Sequence, residues 1–164
     1  MQFEISSAHE MHEFGLRLAK YLKAGDYLVL NGELGAGKTT FTQGLGIGLN
    51  VVGNVTSPTF VISRIHRSNG TGPELIHVDS YRLTSRDQLL DLDLDEHPNS
   101  VIVMEWGASY ISALTETWLQ IDISRTSEVD ISQMNLTDPA AGVRIVELTA
   151  IGNRWENQDL AGLK

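Results

Sequence analysis

Residues 32–40 read GELGAGKTT and follow directly on the short apolar run YLVL at 27–30. Gly32, Gly37, Lys38 and Thr39 satisfy the spacing G-x-x-x-x-G-K-[ST]. Each position has a physical task. Gly35 and Gly37 let the backbone turn so that successive N–H groups converge on an anion. A helix opening near Gly37 adds the partial positive charge of its N-terminus. Lys38 reaches toward β- and γ-phosphates, and the Thr39 hydroxyl is a hard oxygen ligand suited to Mg²⁺. At average residue usage a chance match in a chain of this length has a probability of roughly 0.5%. The loop also follows a strand and precedes a helix, as that chemistry requires. The segment predicts a site for the phosphates of a purine nucleoside triphosphate, held as its Mg²⁺ complex.

Outward from the loop, Ser7-x-x-Glu10 has capping-box form and introduces a helix of about fourteen residues. Met11, Phe14, Leu18, Ala19 and Leu22 share one face of it, and Gly25 is read as its stop. Gly44, Gly46 and Gly48 weaken the helix after the loop, and as small residues they would let it lie close against a sheet. Residues 60–66 and 74–78 read as strands joined by a polar, glycine-containing connection, which predicts an antiparallel hairpin. Ser85-x-x-Gln88 opens a short helix, and residues 101–104, 118–123 and 143–148 are further strands. The alternation predicts an α/β fold: a mostly parallel sheet with an antiparallel hairpin and helices on both faces. Residues 1–150 form a single domain in this reading, and 151–164 are a tail without assignment.

The chain has 164 residues and no cysteine, so disulfides and thiolate metal sites are excluded. The N-terminal segment has no apolar core of signal-peptide length, and no run is long enough to cross a bilayer. The expectation is a soluble, cytoplasmic protein with no membrane partner. Its formal charge is −9, from 21 acidic and 12 basic side chains. Direct grip on nucleic acid needs a basic face, so no direct DNA binding is expected. Acids concentrate in residues 87–96, DQLLDLDLDE. That run reads either as a solvated helix end or as a docking surface for a basic partner.

A triphosphate–Mg²⁺ site also needs a carboxylate at the end of a neighbouring strand. Asp79 ends the run LIHVD and Glu105 ends VIVME. One acid would take the metal, directly or through water, and the other would orient the attacking water or sense the γ-phosphate; the pattern does not distribute the roles. Thr56-Ser57-Pro58-Thr59 is either a phosphate-sensing segment or an ordinary turn. Trp106 is either a neighbour of the site or a core aromatic. His9 and His12 lack a third metal ligand, and His66 and His77 read as packing or hydrogen-bonding residues.

The segments GELGAGKTTFTQGLGIGL, TSPTF, HVDSYRL and VIVMEWG, in that order and at these spacings, resemble the TsaE (YjeE) family. The resemblance spans roughly residues 5–150. It implies a P-loop NTPase fold, a three-layer sandwich, with Mg²⁺-dependent ATPase activity. In that family the ATP cycle supports tRNA threonylcarbamoyladenosine (t6A) synthesis by TsaD and TsaB, so those two proteins become the expected partners. Contact with tRNA is then indirect, through the complex.

Carried over by motif, Gly35, Ala36, Gly37, Lys38, Thr39 and Thr40 bind phosphate, and Thr39 with Glu105 holds Mg²⁺. Lys38, Asp79 and Glu105 are the catalytic set, Asp79 being the acid needed for hydrolysis or switching. Trp106 lies close to nucleotide, Ser57 and Thr59 act as switch-like residues, and Ala8 and His9 contact nucleotide through a looser motif. EWG stands where some members have EWP, and residues 124–142 match weakly.

Two alternatives share the glycine loop. A small-molecule kinase would add an arginine-rich lid, whereas only Arg64, Arg67, Arg82 and Arg86 cluster even in sequence and no lid-like insertion separates elements. A non-hydrolysing nucleotide-sensing module would differ only in turnover. A GTPase would need an N/T-K-x-D segment, which the chain lacks, so ATP is the expected nucleotide. Turnover is expected to be slow without partners, with Arg82 the nearest arginine in cis.

Overall fold

The computed structural model describes residues 1–126 and 142–163. Seven strands form one mixed sheet: β1 (Gln2–Ile5), β2 (Tyr27–Asn31), β3 (Ser63–His66), β4 (Glu74–Asp79), β5 (Ser100–Glu105), β6 (Trp118–Arg125) and β7 (Arg144–Ile151). Their spatial order is β1-β7-β6-β2-β5-β4-β3. β6, β2, β5 and β4 run parallel at the centre, while β1–β7, β6–β7 and β3–β4 are antiparallel.

The parallel core and the β3–β4 hairpin agree with expectation. The antiparallel flank of β6, β7 and β1 does not, so the sheet is evenly mixed rather than mostly parallel. Burial differs between the two parts. Central β5 is buried at every position, as its unbroken apolar run requires. β6 alternates buried with partly exposed residues, as a strand covered on one face does, and it pairs parallel with β2 but antiparallel with β7. The weakly matching stretch at 124–142 falls mostly on residues 127–141, outside the described residues.

Helix α1 (Ala8–Ala19) is capped by Ser7, whose hydroxyl accepts the Glu10 N–H, while Glu10 returns to accept the Ser6 N–H at 2.6 Å. It ends at Lys20, five residues before Gly25, which instead turns the chain into β2. Helix α2 (Lys38–Gly48) lies beside α1 on one sheet face. Its glycines serve the helix–helix contact more than the sheet. A Cβ at Gly44 would stand 1.9 Å from the His12 carbonyl oxygen, and one at Gly15 of α1 would stand 2.2 Å from that of Phe41. No side chain fits between these backbones, so α1 fixes the position of α2.

The other face is thinner than a full helical layer. Val29, Ile76, Val78, Ile102 and Met104 are covered by short helix α3 (Arg86–Leu90) and by 3-10 turns. Leu89 and Leu94 anchor the acidic run while Asp87, Asp91, Asp93, Asp95 and Glu96 face solvent.

Residues 60–62 are not strand. The N–H groups of Val61 and Ile62 both donate to the Pro58 carbonyl, a turn that leaves Phe60 87% exposed. Sequence patterning also passed over β1, four residues with only Phe3 and Ile5 facing inward. The C-terminal stretch is built in as well: α4 (Asn153–Glu156) and a 3-10 turn at Ala161–Leu163 bury Trp155, Leu160 and Leu163 in the core beneath α1. Among the described residues no helix is long and apolar enough to cross a membrane.

Candidate functional site

The site forms where β2, β4 and β5 end. β2 runs into the glycine loop, and the loop runs into α2. Gly35 and Gly37 have φ of +77° and +112°, conformations that a side chain resists. Gly37 is the N-cap of α2 and no side chain caps that end, so the first N–H groups of the helix have no partner within it. An anion is the natural partner for such a terminus.

Strand alternation brings the acids beneath that terminus. Leu75 and Val103 face the α2 side of the sheet, and the period of two puts His77, Asp79 and Glu105 on the same face. Asp79 and Glu105 are register partners on β4 and β5. Both are buried, at 6% and 5% exposure, as is Lys38. Glu105 Oε1 lies 3.4 Å from the Thr39 hydroxyl, which donates to it, and 2.9 Å from His77 Nε2. Asp79 Oδ1 accepts the N–H of Tyr81 at 3.1 Å.

The Lys38 ammonium donates to the carbonyl oxygens of Gly32 and Glu33 at 2.8 and 3.1 Å, and sits 4.2 Å from the centre of the Trp106 ring. Burial holds its pKa below the ordinary lysine range, and the Glu105 and Asp79 carboxylates pull it partly back. Trp106 adopts φ of +61°, a left-handed conformation that stores about 1–3 kcal/mol of strain in a bulky residue. Its N–H donates to Leu30 O at 2.9 Å, and its ring packs against Tyr81 with centroids 6.0 Å apart.

These groups surround a cavity of about 480 Å³. Gly35, Gly37, Lys38, Thr39 and Thr40 form one wall, Asp79, Glu105 and Trp106 the floor, and Ser57 with Thr59 the far side. The two hydroxyls on that side bond each other at 2.7 Å. Ala36 and Ala8 lie instead in an adjoining cavity of about 60 Å³ behind the loop, shared with Gly35, Gly37 and Thr40. His9 is exposed and lines neither. Arg82 points its guanidinium at the Phe60 ring, 5.6 Å from the centroid, and does not line the cavity.

The sequence pattern gives no site role to Tyr81 or Arg125, and it does not reveal the partner of His77. Tyr81 lines the cavity two positions beyond Asp79, inside a motif whose acid drew the attention. Arg125, at the end of β6, donates to the Gly35 carbonyl at 3.3 Å. The signal for it was weak: a basic residue at a strand end, from a strand that only the fold sets beside β2. His77 was read as a hydrogen-bonding histidine, but its partner, 28 residues away, was not legible.

Chemically, the arrangement offers a cation, free helix N–H groups, a hydroxyl and two carboxylates around one opening. That set suits a polyanion and a hard divalent cation together.

Comparison with known proteins agrees with the motif. The profile of "Threonylcarbamoyl adenosine biosynthesis protein TsaE" matches residues 5–135. A Streptomyces coelicolor protein described as tRNA threonylcarbamoyladenosine biosynthesis protein TsaE is 52% identical over 155 residues, covering 93% of this chain and 99% of its own. A Mycobacterium tuberculosis protein of the same description is 43% identical over 125 residues, 71% of this chain and 74% of its own. The crystal structure of Bacillus subtilis YdiB superposes with a TM-score of 0.70 at 31% identity, covering 95% of this chain and 88% of that one. With its glycine loop and both strand-end acids inside the matched region, the chain belongs to the TsaE family.

Proposed function

We propose that this chain is a Mg²⁺-dependent ATPase with a P-loop NTPase fold, which supports t6A modification of tRNA by acting with TsaD and TsaB in the cytoplasm. The observation that carries the reading is the convergence of Lys38, Thr39, Asp79 and Glu105 on one cavity at the N-terminus of α2. Family membership supports the tRNA-modification role.

The donor set fits Mg²⁺: Thr39 and Glu105 present hard oxygens 3.4 Å apart, with no competing nitrogen or sulfur ligand lining the cavity among the described residues. When bound there, Mg²⁺ would supply positive charge that offsets the negative charge of the phosphates as the bond to the γ-phosphorus breaks. The chain's own groups do the rest. Free N–H groups of the loop and α2 hold the phosphates, and the Lys38 ammonium leaves the Gly32 and Glu33 carbonyls for phosphate oxygens. Asp79, oriented by the Tyr81 N–H, holds the attacking water and takes its proton as the water oxygen bonds the γ-phosphorus. The bond to the bridging oxygen breaks, releasing ADP and phosphate.

Among the described residues no arginine lines the cavity. Slow turnover of the isolated chain, raised by its partners, is the behaviour this reading expects. The test is ATP hydrolysis by the chain alone and with TsaD and TsaB. Slow turnover that rises with the partners is expected; no hydrolysis in either case, with no nucleotide-dependent association, ends the proposal.

A further inference from the structure

We infer that His77 is a positioning residue for the metal-binding carboxylate, holding Glu105 in place for Mg²⁺ by donating a hydrogen bond from Nε2 to Oε1. This rests on the reading of Thr39 and Glu105 as the Mg²⁺ site.

His77 is wholly buried in the middle of the sheet. Its register partner on β5 is Val103, but its ring reaches diagonally, two residues along, to Glu105. The Nε2–Oε1 distance is 2.9 Å, and Nδ1 is buried with no partner. A buried imidazole with one orphaned nitrogen is costlier than an aliphatic side chain of the same volume. The single bond it does make explains the residue type. A carboxylate only accepts hydrogen bonds, so Nε2 carries a proton and donates it to Oε1.

Glu105 depends on this bond. Its other partner is the Thr39 hydroxyl at 3.4 Å, a long contact from a group that itself faces the cavity. Without His77, Glu105 would be a buried carboxylate with three rotatable bonds and only the long Thr39 contact to hold it. Groups that hold a metal-binding carboxylate typically influence metal affinity 10–100-fold (about one to two decades), because they fix its orientation before the metal arrives.

The experiment measures binding of a fluorescent non-hydrolysable ATP analogue in EDTA and across a MgCl₂ titration. It compares the wild-type protein with His77→Gln, whose amide nitrogen stands near the place of Nε2, and His77→Met, which fills the space without a donor. All three are expected to bind equally in EDTA. His77→Met needs about tenfold more Mg²⁺ for the same gain in affinity, while His77→Gln stays within about threefold of wild type. Equal Mg²⁺ dependence in His77→Met overturns the inference, and so does an equal loss in both variants or a loss already present in EDTA.

A second measurement needs no variant: long-range ¹H–¹⁵N correlation of the wild-type protein should find the His77 proton on Nε2. A proton on Nδ1 alone overturns the inference. If the wild-type protein itself gains no affinity from Mg²⁺, the metal reading fails. If it does gain, and His77→Met is unchanged, only the role of His77 fails.

Discussion

Asp79 and Glu105 stand side by side as register partners at the ends of β4 and β5, yet they are held by different groups. Glu105 is tied to Thr39 and His77, whereas Asp79 is tied to the backbone N–H of Tyr81. The division predicts different failures. Asp79→Ala should lower ATP turnover by about 100-fold while leaving nucleotide affinity within about threefold, the pattern of a lost general base. Glu105→Ala should instead abolish the gain in affinity that Mg²⁺ brings. Steady-state hydrolysis and calorimetric titration separate the two, and normal turnover in Asp79→Ala refutes the assignment.

Lys38 predicts a pH dependence. Only the ammonium form attracts phosphate, and burial sets its pKa below that of an exposed lysine. Affinity for ATP should therefore be full at the lower pH and decline as pH rises through that lowered pKa. Lys38→Arg keeps its charge across the range, so its affinity, though weaker at neutral pH, should not show the decline. Lys38→Ala should lose at least about tenfold in affinity at neutral pH.

The α1–α2 contact leaves no space at Gly44. A Cβ there meets the His12 carbonyl at 1.9 Å, so Gly44→Ala should destabilise the fold by about 1–3 kcal/mol despite its better helix propensity. Gly70 meets nothing within 4 Å, and Gly70→Ala should stay within about 0.5 kcal/mol of wild type. Urea midpoints measured side by side check the contrast.

Asp26 is 3% exposed and accepts two hydrogen bonds from Arg154, at 2.9 Å each, plus one from the Lys23 N–H. Arg154 also donates to the Tyr21 carbonyl and so ties α4 to the end of α1. Removing the cation strands a buried carboxylate. Arg154→Met should lower stability by about 2–3 kcal/mol, below the range for fully buried pairs because Arg154 is partly exposed. Denaturation followed by tryptophan fluorescence measures it.

His66 on β3 is buried with Nε2 unpaired, and burial, His77 and Arg64 together lower its pKa. The unfolded chain then binds the proton more readily than the folded one. Stability from this group is complete above the unfolded histidine value and is lost as pH falls through the lowered folded value. His66→Phe should show a smaller drop in melting temperature between neutral and mildly acidic pH than wild type does.

The sequence by itself determined the elements whose rules are local. GELGAGKTT after YLVL specified a strand, a glycine turn and a helix, because the turn needs Gly35 and Gly37 within one short stretch. The Ser7 and Ser85 caps and the buried run of β5 were legible for the same reason. The acids at the ends of β4 and β5 could be named, but not their juxtaposition.

Tertiary structure alone decided which of these meet. Strand order set Asp79 beside Glu105 and let His77 reach across from β4 to β5. Strand order also made the flank antiparallel, with β7 set between β6 and β1. Gly44 faced a carbonyl on α1 rather than the sheet, and Arg154 found Asp26 across 128 residues. Such partners are chosen by packing a whole core at once, and no periodicity within a segment records them.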